Sequence, residues 1–240
     1  MRTGNPALTG DALTRAAAYG TTDTMTIQGT TNKCFVLFFL VLFSASWVWS
    51  DAAKLAPLFL PALIGGFIIS LVTIFKKEWA PVTAPIYALL EGVILGGISA
   101  IMEKSYPGIV IQAVGLTFGT FFALLLIYKT RIIKVTDNFR LGVFAATGGI
   151  ALYYFVSIIL GFFKIQAPMI YDSGVLGIGF SVFVVIIAAL NLVLDFDYIE
   201  KASESNVPKY MEWYGAFALT ITLVWLYLEI LRLLAKTRRR

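Results

Sequence analysis

Of the 240 residues in the chain, 59% are hydrophobic and 14% are charged, a composition that indicates an integral membrane protein rather than a soluble domain. The chain contains no histidine and a single cysteine, which excludes Ser-His triads, histidine metal sites, intrachain disulfides and thiolate clusters. The net charge of +5 does not indicate a nucleic acid partner, because the basic residues flank apolar segments, where membrane lipid and topology explain them.

The first 32 residues are polar and rich in threonine, glycine and alanine. They contain no early apolar stretch, so we do not expect a secretory signal peptide. We predict that residues 1–32 are a flexible cytoplasmic tail, that residues 33–236 form a transmembrane domain, and that residues 237–240 are a basic tail.

Seven apolar segments follow the tail, each about 17–25 residues long, which is the length a helix needs to cross a hydrocarbon core of about 30 Å. They lack the alternation of membrane strands, and their short connections predict antiparallel neighbours. The sequence therefore predicts an all-α membrane protein, a bundle of seven transmembrane helices. The predicted spans are Cys34–Ser50, Ala56–Phe75, Val82–Met102, Gly108–Tyr128, Leu141–Phe163, Ser173–Asp195 and Trp213–Ala235.

Small residues recur within these spans. The spacings Gly92-x-x-x-Gly96 and Gly115-x-x-x-Gly119 are typical of helices whose backbones approach closely. Both motifs therefore predict tight helix packing in preference to a direct role in transport.

Lysine and arginine are unevenly distributed between the two sides of the predicted bundle. If the amino terminus is cytoplasmic, the tail and the second, fourth and sixth loops hold most of the basic residues, as the positive-inside rule requires. The carboxyl end opposes this orientation, since Lys236 and residues 238–240 would then lie outside. The loops cover more connections, so we predict a multi-pass protein of the bacterial cytoplasmic membrane with a cytoplasmic amino terminus.

Carboxylates at the end of the sixth span are the strongest functional signal, because acidic residues at membrane depth are costly and rare. Asp195 and Asp197 are about 200° apart around a helix, so they do not pair with each other. Asp195 shares a face with Asn191, from which we expect a hydrogen bond. Asp197 shares a face with Glu200, from which we expect like-charge repulsion.

Three further acids lie in or beside the spans. Glu91 is near the middle of the third span, where a charge costs roughly 2.5–3.5 kcal/mol, so it should face the bundle interior in either a structural or a functional role. Glu212 opens the last helix, where a carboxylate is favourable, and it flanks the same loop as Asp197, so a cation site between the two is an alternative. Glu229 and Arg232 are three residues apart on one helix and are expected to pair.

The spans and acidic motifs together resemble the Bax inhibitor-1 (TMBIM) family, in particular its bacterial Bax inhibitor-1/YccA-like branch. The resemblance rests on residues 85–96 (PIYALLEGVILG), 191–200 (NLVLDFDYIE) and 225–232 (WLYLEILR). It implies a bundle with the last helix at its centre and a pH-sensitive calcium leak.

The resemblance also implies a pair of aspartates, one ending span six and one within span seven, that share a proton and control opening. Asp197 matches the first aspartate. Thr222 stands near the position of the second, so the pair is not carried over intact, and Glu212 and Glu229 are the candidate replacements.

Carboxylates suit a calcium leak because calcium prefers hard oxygen ligands, while conduction requires weak binding. Without histidine, a pH response near neutrality depends on carboxylates or lysines. We predict no cofactor, with calcium as a permeant ion competing with protons at a weak site formed by Asp197 and Asp195. The full set of predicted proton-sensing and cation-binding residues is Asp197, Asp195, Glu91, Glu212 and Glu229, supported by Asn191, Glu200, Thr222 and Arg232.

Three alternatives compete with the leak. A non-conducting protein would regulate a membrane protease or a stress response by binding a membrane protein partner. An aspartyl intramembrane protease needs two aspartates on different helices, and only the sixth span holds an aspartate at useful depth, so we do not expect an enzyme. A secondary transporter would show matching broken helices in two halves, which the sequence lacks.

Overall fold

The computed structural model of the protein describes residues 24–163, 170 and 172–239. Residues 1–23 of the predicted flexible tail lie outside the described residues. Over the described part of the chain, seven helices are long and apolar enough to cross a membrane, and no β-strand forms. The prediction of an all-α, seven-span protein is therefore confirmed.

The seven long helices match the seven predicted spans in order. Short helical turns at Ala52–Leu55 and Ala56–Leu58 lead into the second helix, and a turn at Lys77–Trp79 precedes the third. The helices are α1 (Ile27–Ser50), α2 (Phe59–Phe75), α3 (Ala80–Ser105), α4 (Ile109–Lys129), α5 (Asp137–Phe162), α6 (Val175–Glu204) and α7 (Met211–Arg238).

The first and last helices extend beyond the predicted apolar spans, Cys34–Ser50 and Trp213–Ala235. Helix α1 begins at Ile27 rather than at Cys34, and the side chain of Thr26 caps it by accepting a hydrogen bond from the Gly29 backbone. At the other end, α7 continues to Arg238. Polar residues continue a helix where water or lipid headgroups surround it. Hydropathy alone therefore places the start of α1 too late in the sequence and the end of α7 too early.

The described chain divides into two compact units, where the sequence predicted one transmembrane domain. The first unit consists of residues 24–105 together with Asp197–Ile221, and the second consists of Tyr106–Phe196 together with residues 222–239. Helices α6 and α7 each contribute residues to both units.

In the first unit, α3 packs closely on α1 at the predicted small-residue motif. A Cβ atom added at Gly96 would lie 2.5 Å from the carbonyl oxygen and 2.9 Å from the Cα of Ala45, and one added at Gly92 would collide with Ser44 and with the backbone of Val41. The absence of side chains at these two glycines therefore permits the contact. The equivalent motif on α4 has no such neighbour: a Cβ added at Gly115 or Gly119 meets none of the described residues within 4 Å.

The second unit has an apolar core formed by α5, α6 and α7. Its centre is Ile150, Val184 and Ile187, with Phe180 and Trp225 packed against it. Apolar side chains outside the cores are widely exposed, as they are in helices that face lipid. On α1, four aromatic side chains spaced four residues apart are each more than half exposed: Phe35, Phe39, Phe43 and Trp47.

Helix α7 is the most buried of the seven. In its most apolar 18-residue window 56% of residues are buried, against 17% in α4 and in α5. This burial includes the acids of α7, Glu212 and Glu229, which are each 1% exposed.

Candidate functional site

Four carboxylates of α6 and α7 are buried. Asp195, Glu212 and Glu229 are 0–1% exposed, and Asp197 is 8% exposed. A charged group away from water is tolerated only when other groups compensate it, so the partners of these side chains determine what they do.

Asp197 pairs with Lys201, one helical turn further along α6. The Lys201 ammonium lies 2.8 Å from the carboxylate. Glu200, which was predicted to share a face with Asp197, is only half-buried. The i,i+4 spacing of an acid and a lysine is readable from sequence, so the sequence contained the signal for this pair although the prediction considered only Glu200.

Asp195 is fully buried in the second unit, but Asn191 does not serve it as predicted. The Asn191 side-chain nitrogen instead donates to Thr147 Oγ1 and to the Ile187 carbonyl, both at 2.8 Å. Thr147 belongs to α5, and a sequence pattern along α6 gives no information about which helix lies opposite Asn191.

Glu212 lies in the first turn of α7, and its partners come from the start of α1. Lys33 Nζ lies 2.6 Å from Glu212 Oε2. Thr26 donates to Glu212 Oε1 from both its backbone nitrogen, at 3.0 Å, and its hydroxyl, at 2.9 Å. The predicted position at a helix start is confirmed, while the cross-helix partners were missed because no local pattern connects residues this far apart.

Both acids that were expected to share a cation therefore hold a lysine ammonium each. Asp197 has Lys201, and Glu212 has Lys33. A metal cation at either carboxylate would have to compete with that lysine.

The predicted Glu229–Arg232 pair is confirmed and is part of a larger network in the second unit. Arg232 Nη1 lies 2.9 Å and 3.0 Å from the two Glu229 oxygens. Tyr154 of α5 donates to Glu229 at 2.9 Å while its hydroxyl accepts from Arg232 at 2.6 Å. Trp225 Nε1 adds a longer bond of 3.3 Å to Glu229.

Glu91 is half-buried on α3 and accepts a hydrogen bond from the hydroxyl of Tyr87, four residues earlier. The Tyr87 ring meets Phe217 of α7 edge to face, with ring centroids 5.0 Å apart. The expectation that Glu91 faces the interior is thus met in part, and the group that compensates it comes from its own helix.

The chain is similar to one known family over nearly its whole length. A family model described as Bax inhibitor 1 like matches residues 5–239. The chain belongs to this family. It has no significant match among curated proteins or among solved structures.

In this Bax inhibitor 1 like protein, Thr222 of α7 is buried as well. Thr222, which stands near the position that the resemblance gives to a second aspartate, is 3% exposed. Its hydroxyl cannot carry a negative charge at neutral pH, so α7 supplies its buried carboxylates from Glu212 and Glu229 instead.

A dense metal site is not a feature of the described residues. Among them, no three Asp, Glu or Cys side chains gather closely enough to hold a metal ion together. Calcium sites in proteins use six to eight oxygen ligands, so the predicted weak site at Asp195 and Asp197 would depend on backbone carbonyls and water for most of its ligands.

Proposed function

We propose that this Bax inhibitor 1 like protein is a pH-sensitive leak for calcium and related cations. The observation that supports the proposal is the burial of four carboxylates in the last two membrane helices, three of them held by a basic side chain. Protonation of such a carboxylate removes the charge that attracts its basic partner, which weakens the contact between them. A lower pH is therefore expected to change the packing of α6 and α7 through these contacts.

Asp197 is the proposed proton sensor and the first cation ligand. Its side chain is 11% exposed and that of Lys201 is 30% exposed, so protons and small cations have access to this pair. A cation that binds Asp197 replaces the Lys201 ammonium at the same oxygens. Asp195, two residues earlier and fully buried, is the proposed second ligand.

The proposed setting is the cytoplasmic membrane of a bacterium, with the amino terminus inside. The support is the excess of lysine and arginine in the tail and in alternate loops. Labelling of single cysteines introduced at Glu78 and at Lys104, on opposite predicted sides, tests this orientation in intact cells.

The experiment that tests the leak is calcium-dye influx into liposomes that contain the purified protein, from pH 6 to pH 8. We expect a pH-dependent flux whose profile changes in Asp197→Asn and falls in Asp195→Asn and Glu91→Gln. Glu204→Gln is the matched control, because Glu204 ends the same helix α6 and is exposed. An unchanged pH profile in folded Asp197→Asn would refute the sensor.

A second function is favoured by the same charge pairs. Glu212 and Glu229 are so fully compensated that they also suit a non-conducting scaffold, which would regulate a membrane protease or a stress response by binding a partner protein. Liposomes with correctly folded protein and no flux above empty vesicles would favour this function. Activity in cells would then survive Asp195→Asn and Asp197→Asn.

A further inference from the structure

The start of α1 is held to the start of α7 by one carboxylate, Glu212, to which the proposed leak assigns no role as sensor or cation ligand. Glu212 is 1% exposed, although it belongs to the first turn of its helix. Three donor groups of α1 converge on it: the Lys33 ammonium, the Thr26 backbone N–H and the Thr26 hydroxyl. Acids in the first turn of a helix are usually solvated, so this burial requires an explanation.

The local structure of α1 is arranged around that carboxylate. The Gly29 N–H donates to Thr26 Oγ1 at 2.9 Å, so the hydroxyl proton of Thr26 is free to point towards Glu212. A Cβ atom at Gly29 would collide with all three carboxylate heavy atoms of Glu212. A glycine at position 29 therefore leaves the space that the carboxylate fills.

The chain just before α1 is attached nearby through its backbone. The Met25 N–H donates to the Val207 carbonyl at 2.8 Å, and Thr24 forms an isolated antiparallel bridge with Pro208. The Met25 side chain is 2% exposed. The charged contact at Glu212 therefore acts together with backbone contacts of the preceding residues.

The donor groups at the start of α1 form a receptor for an anion, and the Glu212 carboxylate of α7 is the anion held in it. The amino end of a helix presents N–H groups and a partial positive charge, which favour an anion, and Lys33 adds a full positive charge. The anion that binds there is a side chain of another helix. We infer that Glu212 is a tethered carboxylate ligand and that this receptor on α1 and Glu212 form a releasable latch between α1 and α7.

The latch is releasable because one side of it reaches the surrounding solution. The Lys33 side chain is 23% exposed while the Glu212 side chain is 1% exposed. Tethering gives a ligand an effective concentration on the order of millimolar, so a free carboxylate at higher concentration competes for the same donors. Opening separates the first turns of α1 and α7. It does not require α1 to leave α3, which it contacts further along at Gly92 and Gly96.

The single cysteine of the chain lies next to the latch. Cys34 follows Lys33 on α1 and is 7% exposed, so movement that exposes this part of α1 speeds its reaction with a neutral maleimide. The rate of that reaction in detergent-solubilised full-length protein is the readout of opening, compared between variants that differ only at the latch. It requires no cation flux, so failure of the latch and failure of the proposed leak are distinguishable.

The test is chemical rescue. We expect Glu212→Ala to accelerate Cys34 modification at least about tenfold, which corresponds to about 1.4 kcal/mol. Sodium formate, which fits the space left by the carboxylate, should slow the reaction again, whereas sodium chloride of equal ionic strength should not. In Gly29→Ala the added methyl group displaces the carboxylate, so we expect the same acceleration with no rescue by formate.

Two controls make the result decisive. Glu204→Ala removes an exposed acid from α6 and should change neither the rate nor its response to formate. Gly29→Ala retains every charge, so it tests the latch even if Glu212→Ala fails to fold. An unchanged Cys34 rate in folded Gly29→Ala, or equal effects of formate and chloride on Glu212→Ala, would overturn the inference.

Discussion

Substitution of Gly96 by alanine should weaken the protein, whereas the same change at Gly119 should not. An added Cβ at Gly96 would lie 2.5 Å from the carbonyl oxygen and 2.9 Å from the Cα of Ala45. Both are backbone atoms, which cannot rotate away as a side chain does. The methyl group can therefore be accommodated only if α1 and α3 move apart.

The expected magnitude follows from two opposing effects. Overpacking costs typically about 1–3 kcal/mol, and contact with backbone places Gly96→Ala at the upper end of that range. Replacing glycine by alanine inside a helix recovers about 1 kcal/mol, so the net loss is about 2 kcal/mol. At Gly119 no described residue lies within 4 Å of the added Cβ, so only the gain of about 0.5–1 kcal/mol applies.

The assay is unfolding in mixed micelles by increasing mole fraction of sodium dodecyl sulfate, followed by tryptophan fluorescence. We expect the midpoint to fall in Gly96→Ala and to stay or rise slightly in Gly119→Ala. Reactivity of Cys34 on α1 should increase only in the first variant. If both variants shift the midpoint by the same amount in the same direction, the reasoning that α1 contacts α3 at Gly96 is wrong.

Two further predictions concern buried polar contacts of the second unit. Tyr154→Phe removes the hydroxyl that donates to Glu229. Because hydrogen bonds to charged groups contribute roughly 1.5–3 kcal/mol, the midpoint of thermal unfolding should fall by several degrees. An unchanged midpoint would contradict a cooperative network. The substitutions Asn191→Ala and Thr147→Val should each lower the free energy of unfolding. A double-mutant cycle should give a coupling free energy of about 0.5–1.5 kcal/mol between them. Fully additive losses would show that the Asn191–Thr147 hydrogen bond contributes little.

Three of the buried acids pair with a basic side chain, but they differ in how many further donors hold them. Glu212 and Glu229 accept from several donors each, so changing either one disturbs packing as well as charge. Asp197 pairs with Lys201, and its side chain is 11% exposed, more than that of Glu212 or Glu229. Conservative substitution at Asp197 is therefore the most informative change for function.

Local sequence patterns predicted the parts of this protein that depend on neighbours along the chain. Length and hydropathy were sufficient for seven helices, because the hydrocarbon core sets how many apolar residues a span needs. The Glu229–Arg232 pair was predicted because residues three apart on a helix are adjacent. The same rule covers Asp197 and Lys201, although only Glu200 was considered as a neighbour of Asp197.

The partners of a side chain on another helix were decided only by the tertiary structure. The motifs at Gly92 and Gly115 have the same spacing, yet only the first meets a neighbouring helix among the described residues. Glu212 was predicted as a favourable carboxylate at a helix start, and the structure buries it against Lys33 and Thr26. In a membrane every outward face is apolar, so hydropathy does not distinguish a face that packs on protein from one that meets lipid. The sequence therefore determined how many helices cross the membrane and which acids they carry, while helix packing determined which of those acids are compensated, and by what.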